Sequence, residues 1–256
     1  MTPLVILTQS GSPSRSDQQS HEGGDPAYRQ DDKDGEQDDK DGEQDDKDEE
    51  QDDKDEGQDK DGEQYDTRLV VFDAMGVLYA AGDDEFELLI PYLRELGCRL
   101  RDDEIDRAYE EASVGRLTSA EFWEICGVRG DDRMYCSRHT LTPGMDALLA
   151  DLSHIGVQMA CLSNDVSEWS RILRKRFGLE QWISTWVISG DIRAQKPDPE
   201  AFRTLAQRTG EPLDAMVFFD DSQRNVDAAL GLGMDAQRFT SVPACRTDLR
   251  NRGFDI

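Results

Sequence analysis

Histidine is nearly absent. The 256 residues hold three, His21, His139 and His154. A cysteine nucleophile wants an imidazole beside it, and nothing marks any of the three as that partner. The five cysteines, Cys98, Cys126, Cys136, Cys161 and Cys245, are odd in number and contain no Cys-x-x-Cys pair. They read as reduced, mostly buried thiols. Positive charge is also short, with 29 basic residues against 56 acidic ones and a net charge of -27. That balance argues against nucleic acid or an anionic membrane surface as a partner. No apolar run is long enough to cross a bilayer. Leu4 to Leu7 is too short for a signal peptide and has no basic residue before it. A cytoplasmic protein is expected.

The length leaves room for one domain of ordinary size and an appendage. The acid is unevenly placed. Residues 1–66 carry 24 acids and 7 bases, and the rest of the chain 32 and 22. From Gln30 the unit Gln-Asp-Asp-Lys-Asp-Gly-Glu recurs every seven residues. No position of the unit is apolar, so there is no coiled-coil seam to bury. The Asp-Lys-Asp-Gly pieces lack the third spaced acid and closing Glu of a calcium loop. A disordered acidic tail over 1–66 is expected, because the unit cannot repay its ordering entropy.

Beyond the tail the pattern changes. Leu69 to Phe72 is a short apolar run closed by Asp73, the mark of a buried parallel strand. Gly76 lets the chain turn away. Asp83 to about Gly97 reads as an amphipathic helix with Phe86, Leu89, Ile90, Leu93 and Leu96 on one face. Asp102 to Val114 reads as a second helix. Thr118 and Glu121 form a capping-box start for a third. No strand pattern interrupts residues 80 to 140. From Pro143 strands and helices alternate: a helix over Gly144 to His154, then strands over Val157 to Leu162, Thr185 to Ile188 and Met216 to Phe219. Helices over Ser167 to Phe177, Asp198 to Thr209 and Asn225 to Leu232 separate and follow them, and Gln237 to Phe239 offers a last short strand. The expectation is an α/β fold, a Rossmann-like parallel sheet with helices on both faces, plus a small helical cap inserted after the first strand. The core would span 67–80 and 141–256, and the cap about 81–140.

In such sheets ligands bind beyond the carboxyl ends of the strands. Asp73, Ser163, Asn164, Asp220 and Asp221 all fall at those ends, and Lys196 lies in a loop after another strand. Asp73 and Asp221 repel unless a cation or a proton sits between them. An oxygen-rich site without His or Cys suits magnesium, which would screen Asp73 and leave one oxygen free to attack. Ser163 offers a hydroxyl to a phosphoryl oxygen. Lys196 and Lys175 are the two lysines beyond residue 66, and Lys175 sits in a basic run near a helix end. Taken singly, Asp73 reads as a helix cap and Lys196 as a surface residue before a proline turn.

Together these stretches resemble the haloacid dehalogenase superfamily over about residues 68–240. The first motif is similar to Phe72-Asp73-Ala74-Met75-Gly76-Val77-Leu78, and the second to Leu162-Ser163-Asn164. The third is similar to Lys196-Pro197-Asp198-Pro199, and the fourth to Phe218-Phe219-Asp220-Asp221-Ser222 followed by Asn225. The resemblance implies a capped core and a magnesium-dependent hydrolase acting on a small phosphorylated metabolite through an aspartyl-phosphate. It implies Asp73 as nucleophile and Asp221 as magnesium ligand, with Asp220 assisting and Met75 lending its backbone carbonyl. Ser163 and Lys196 would hold the phosphoryl group, with Asn164 beside them.

Met75 departs from the family's phosphatases, which carry an Asp two residues after the nucleophile. A thioether can neither protonate a leaving alcohol nor activate water. The dehalogenase branch has an aromatic residue there but no Asp220-Asp221 pair. The phosphonate-cleaving branch uses a cap lysine, and residues 80–140 contain none. Two readings remain: a phosphatase-like enzyme whose acid is relocated or unnecessary, and a non-catalytic protein that binds a phosphorylated ligand. Arg116, Phe122 and Trp123 are candidate substrate contacts from the cap, unless the rings simply pack its interior and Arg116 faces water.

Overall fold

The computed structural model describes residues 69–256. The acidic tail expected over 1–66 and the domain start at Thr67 lie outside the described residues. Five strands form the centre: β1 (Leu69–Phe72), β2 (Met159–Ser163), β3 (Thr185–Ile188), β4 (Met216–Asp220) and β5 (Asp235–Arg238). They pair in the order β3-β2-β1-β4-β5, and every pairing is parallel. Alternate residues point to opposite faces of a strand, and here both faces are covered. Val70, Phe72, Met159, Cys161, Val217 and Phe219 join one apolar cluster. Leu69, Val71, Ala160, Leu162, Met216 and Phe218 join the other. That is why the strands read as unbroken apolar runs.

The first cluster is closed by α5 (Met145–His154), α6 (Ser167–Arg176) and α10 (Val242–Asn251). The second is closed by α8 (Pro199–Thr209) and α9 (Gln223–Gly231). A one-turn helix, α7 (Ser189–Ile192), follows β3. Asp198 caps α8, accepting from the Glu200 N–H at 2.9 Å, and Pro199 occupies its first turn.

Four helices fill the stretch between β1 and α5: α1 (Ile90–Glu95), α2 (Asp102–Ser113), α3 (Ser119–Ile125) and α4 (Asp132–Cys136). The capping box at Thr118 and Glu121 is present. The single amphipathic helix expected from Asp83 is not. Its first part is a π-turn, Glu85–Leu89, and only then does α1 begin. The wider π-turn changes the angular offset between residues. Phe86 is therefore turned out, 54% exposed, and Asp84 and Glu85 are turned in. Leu96, also expected inside, is exposed.

Aromatic rings fasten these helices to α6. Trp169 lies 4.6 Å from the Tyr135 ring and 5.5 Å from Phe122, centroid to centroid. The indole N–H groups of Trp123 and Trp169 both donate to Asp132 Oδ1 at 2.7 Å. Such ring contacts add roughly 0.5–1.5 kcal/mol each beyond area burial. Phe122 and Trp123 thus have packing roles.

Candidate active site

The strand order reverses at β1, which pairs with β2 on one side and β4 on the other. Loops leaving such a switch point diverge and open a crevice. Asp73 follows β1, Ser163 closes β2, Asp220 closes β4, and Asp221 follows it. Lys196 arrives in the loop after α7. Asn164 ties down that loop: its side-chain oxygen accepts from the Lys196 N–H at 2.8 Å, and its amide donates to the Lys196 carbonyl at 2.9 Å. The ammonium then lies 2.7 Å from Asp73 Oδ1 and 2.6 Å from Asp220 Oδ2. Asn225 Nδ2 sits 3.1 Å from each Asp220 oxygen, and the Ser222 N–H donates to Oδ1 at 2.8 Å. The Ala74 N–H donates to Asp73 Oδ1 at 2.6 Å.

Three carboxylates, Asp73, Asp220 and Asp221, bring oxygens within 4.8 Å of one another around one ammonium. Burial, then repulsion from Asp220, push the Asp73 carboxyl up to about 8, although Lys196 pulls it down. Burial and Asp220 also raise Asp221. Burial would lower Lys196, but Asp73 and Asp220 outweigh it and hold the ammonium above the usual lysine range. The cluster carries more negative charge than its own cation offsets. Gly76 leaves room beside it. Its φ is +71°, and a Cβ there would lie 2.2 Å from Asp221 Oδ2. Hard oxygen donors, surplus negative charge and a backbone cradle fit magnesium or a similar hard divalent cation.

A cavity of about 290 Å³ opens over the cluster. Asp73, Met75, Lys196 and Asp221 line it from the sheet edge, and Asp84, Glu85 and Tyr109 line it from the inserted segment. Ser163 is buried, and its hydroxyl has no partner among the described residues. Ser163 does not itself line the cavity. Arg116 stands apart from this cluster. Its exposed guanidinium pairs with Glu111, and it does not line the cavity.

A family model described as a haloacid dehalogenase-like hydrolase matches residues 67–233. The chain belongs to the haloacid dehalogenase-like hydrolase family. This hydrolase is 29% identical over 183 residues to the phosphoglycolate phosphatase of Pseudomonas syringae pv. tomato, covering 65% of this chain and 67% of the relative. It is 33% identical over 100 residues to the phosphoserine phosphatase of Thermus thermophilus, covering 39% and 40%. The fold matches a magnesium complex of a HAD family enzyme from Bacteroides thetaiotaomicron, with TM-score 0.61, 21% identity, and 72% and 98% coverage.

Residue by residue, the hydrolase brings Asp73, Asp220, Asp221 and Lys196 into one cluster, with Met75 and Asn164 on the cavity wall. Asn164 proves to be bound to the Lys196 backbone on both sides. Sequence reasoning left Asp84, Glu85 and Tyr109 unmarked. For Asp84 and Glu85 the signal is the acidic run Asp83-Asp84-Glu85 directly after Gly82, inside the stretch expected as a helix; Tyr109 has none beyond its place in the second helix.

Proposed function

We propose that this hydrolase cleaves small phosphomonoesters with magnesium, through an aspartyl-phosphate on Asp73. The carrying observation is the buried ammonium of Lys196 set between Asp73 and Asp220, with Asp221 converging on the same point. The phosphatase names among the relatives support the substrate class.

In this reading both donors to Asp73, Lys196 and the Ala74 N–H, fall on Oδ1, and Oδ2 attacks phosphorus. The contacts fix the direction of that attack, which is where much of the rate advantage of a positioned nucleophile arises. Lys196 has three N–H donors; two face carboxylates and the third is left for a phosphoryl oxygen. Ser163 offers its unpartnered hydroxyl to another. Asp73 and Asp221, with Asp220 directly or through water and the Met75 carbonyl, would hold magnesium, whose charge supports the ionised form of Asp73 and offsets that of the phosphoryl group. Asn164 and Asn225 position Lys196 and Asp220. The helices α1–α4 act as a cap that covers the cavity and limits substrate size.

The test is a panel of phosphorylated metabolites assayed with magnesium and with chelator. Magnesium-dependent phosphate release from at least one ester is expected. Saturable ligand binding without turnover would support a non-catalytic role instead, and halide release from haloacids in chelator would point to a dehalogenase.

A further inference from the structure

Met75 lines the cavity at the position two beyond the nucleophile, and it has no proton to give. Alkoxides are poor leaving groups, so an enzyme acting on alkyl phosphates needs an acid elsewhere. Four side chains on the inserted side could serve: Asp83, Asp84, Glu85 and Tyr109. Asp84 is committed, accepting from the Tyr109 hydroxyl at 3.3 Å and the Tyr135 hydroxyl at 2.7 Å, with His139 Nε2 at 3.6 Å. Tyr109 is committed to Asp84 in turn. Asp83 is exposed, accepts from the Phe86 N–H at 3.2 Å, and is bathed in water. Glu85 differs from all three. It is 6% exposed, and its Oε1 has no hydrogen-bond partner among the described residues.

The backbone accounts for this placement. A regular helix from Asp83 would put Phe86 on the inner face. The π-turn puts Glu85 there and sends Phe86 into water. A buried carboxyl with one oxygen unpartnered and the Asp106 carboxyl within hydrogen-bond reach is held at a cost, and π-turns of this kind recur at functional sites.

We propose, resting on the phosphomonoesterase reading above, that Glu85 is the general acid and base of this site, doing the work that an Asp at position 75 would do. As Asp73 Oδ2 bonds to phosphorus, the ester P–O bond breaks and its electron pair stays on the leaving oxygen. The carboxyl proton of Glu85 passes to that oxygen, and a neutral alcohol departs. Water then attacks the phosphorus of the aspartyl-phosphate. The Glu85 carboxylate takes the proton from that water, and the Asp73 carboxylate leaves as the P–O bond to it breaks. Both residues are restored. Glu85 is poised for the first step: burial, then the charges of Asp106, Asp83 and Asp84, push it up to about 8, so it holds its proton at neutral pH.

The test compares wild-type full chain with Glu85→Gln at saturating magnesium, on p-nitrophenyl phosphate and on alkyl phosphates of rising leaving-group pKa. For alkyl phosphates kcat/KM should fall by about 100- to 10,000-fold. For the aryl ester kcat/KM should stay within about threefold, while kcat falls and a nitrophenolate burst appears, because release of the good leaving group needs no acid but breakdown of the aspartyl-phosphate needs the base. Adding Met75→Asp to Glu85→Gln should restore much of the alkyl activity. An equal loss on aryl and alkyl esters, or no loss on alkyl esters, would overturn the proposal. Met75→Asp alone keeps the question decidable if Glu85→Gln does not fold. A gain under about tenfold on alkyl esters is expected, since an acid is already present, and a gain of 100-fold or more overturns it. No turnover of any ester by the wild type would overturn the hydrolase reading and this assignment together.

Discussion

Lys196→Met removes one charge from the centre of the site and keeps most of the stem. In the wild type the ammonium is almost wholly buried, 2.7 Å from Asp73 and 2.6 Å from Asp220. Removing one partner of a buried ion pair typically costs about 3–5 kcal/mol, because the other charge stays buried and unpaired. Here two carboxylates lose their counter-ion and a third, Asp221, stands close by. Asp73 limits the damage by taking up a proton, which sets the pH dependence. Its folded pKa, about 8, already exceeds the ordinary 3.8. A group raised in this way weakens the fold as pH climbs from its unfolded value through its folded one. Loss of the ammonium raises it further and extends that window upward. Wild type and variant lose this contribution in parallel up to about pH 8, so the Asp73 share of the penalty opens only above that pH. For a folded body of this size 1 kcal/mol shifts Tm by about 2–4 °C, so the full penalty corresponds to roughly 6–20 °C. Thermal melts of both proteins in chelator, at about pH 6 and about pH 9, one unit or more either side of that folded value, read it directly. Magnesium at about 100 times its Kd should return about 2.7 kcal/mol to either protein. A Lys196→Met protein that melts within about 2 °C of wild type at about pH 9 in chelator would refute the ion cluster as described.

Gly76→Ala should cripple the site without destroying the fold. It forces a Cβ to within 2.2 Å of Asp221 Oδ2 at a φ of +71°, at a strain of about 1–3 kcal/mol. Calorimetric magnesium titration should show weakened binding, and unchanged binding would mean that Asp221 is not a ligand. Glu85→Gln should raise Tm relative to wild type, and the gap should widen as pH rises. Glu85 titrates from 4.5 toward about 8 on folding, with Asp83, Asp84, Asp106 and Tyr109 facing it, so the wild type alone loses stability across that window. A pH-independent gap in paired melts between pH 5 and pH 8 would contradict its raised pKa. Asp73→Asn should be at least as stable as wild type in chelator at pH 8, since it removes a buried repulsive charge. A lower Tm would show that the carboxylate contributes net attraction.

β1, β2 and β4 could be read from the chain because each is buried on both faces and so appears as an apolar run, whereas β5 (Asp235–Arg238), polar and half-buried, was placed two residues late, at Gln237 to Phe239. β1 and β3 match expectation to the residue, and β2 and β4 differ at their ends. α4, α7 and α10 went unread. The first two are one-turn helices too short to show a period, and α10 buries Val242, Cys245 and Leu249 among mostly polar residues. The site was legible where chemistry coincides with a strand end, at Asp73, Ser163, Asp220 and Asp221. Asn164 was legible as a site residue, but its grip on the Lys196 backbone needed the tertiary structure. The inserted segment was read worst. Periodicity assumes a constant angle per residue, and the π-turn at Glu85–Leu89 breaks that assumption, so Phe86, expected on the inner face, is exposed and Glu85 is buried. Arg116 was chosen for its charge before a helix start, and Glu111 claims that charge locally.

Covalent chemistry on Asp73 can be caught directly. Full-length protein mixed with a turned-over phosphomonoester and magnesium, then quenched in acid within one turnover, should carry one phosphoryl group by peptide mass spectrometry. That group should sit on Asp73, with none in chelator and none in Asp73→Asn. Turnover that persists in Asp73→Asn, or that proceeds with the phosphoryl group on another residue, would contradict it.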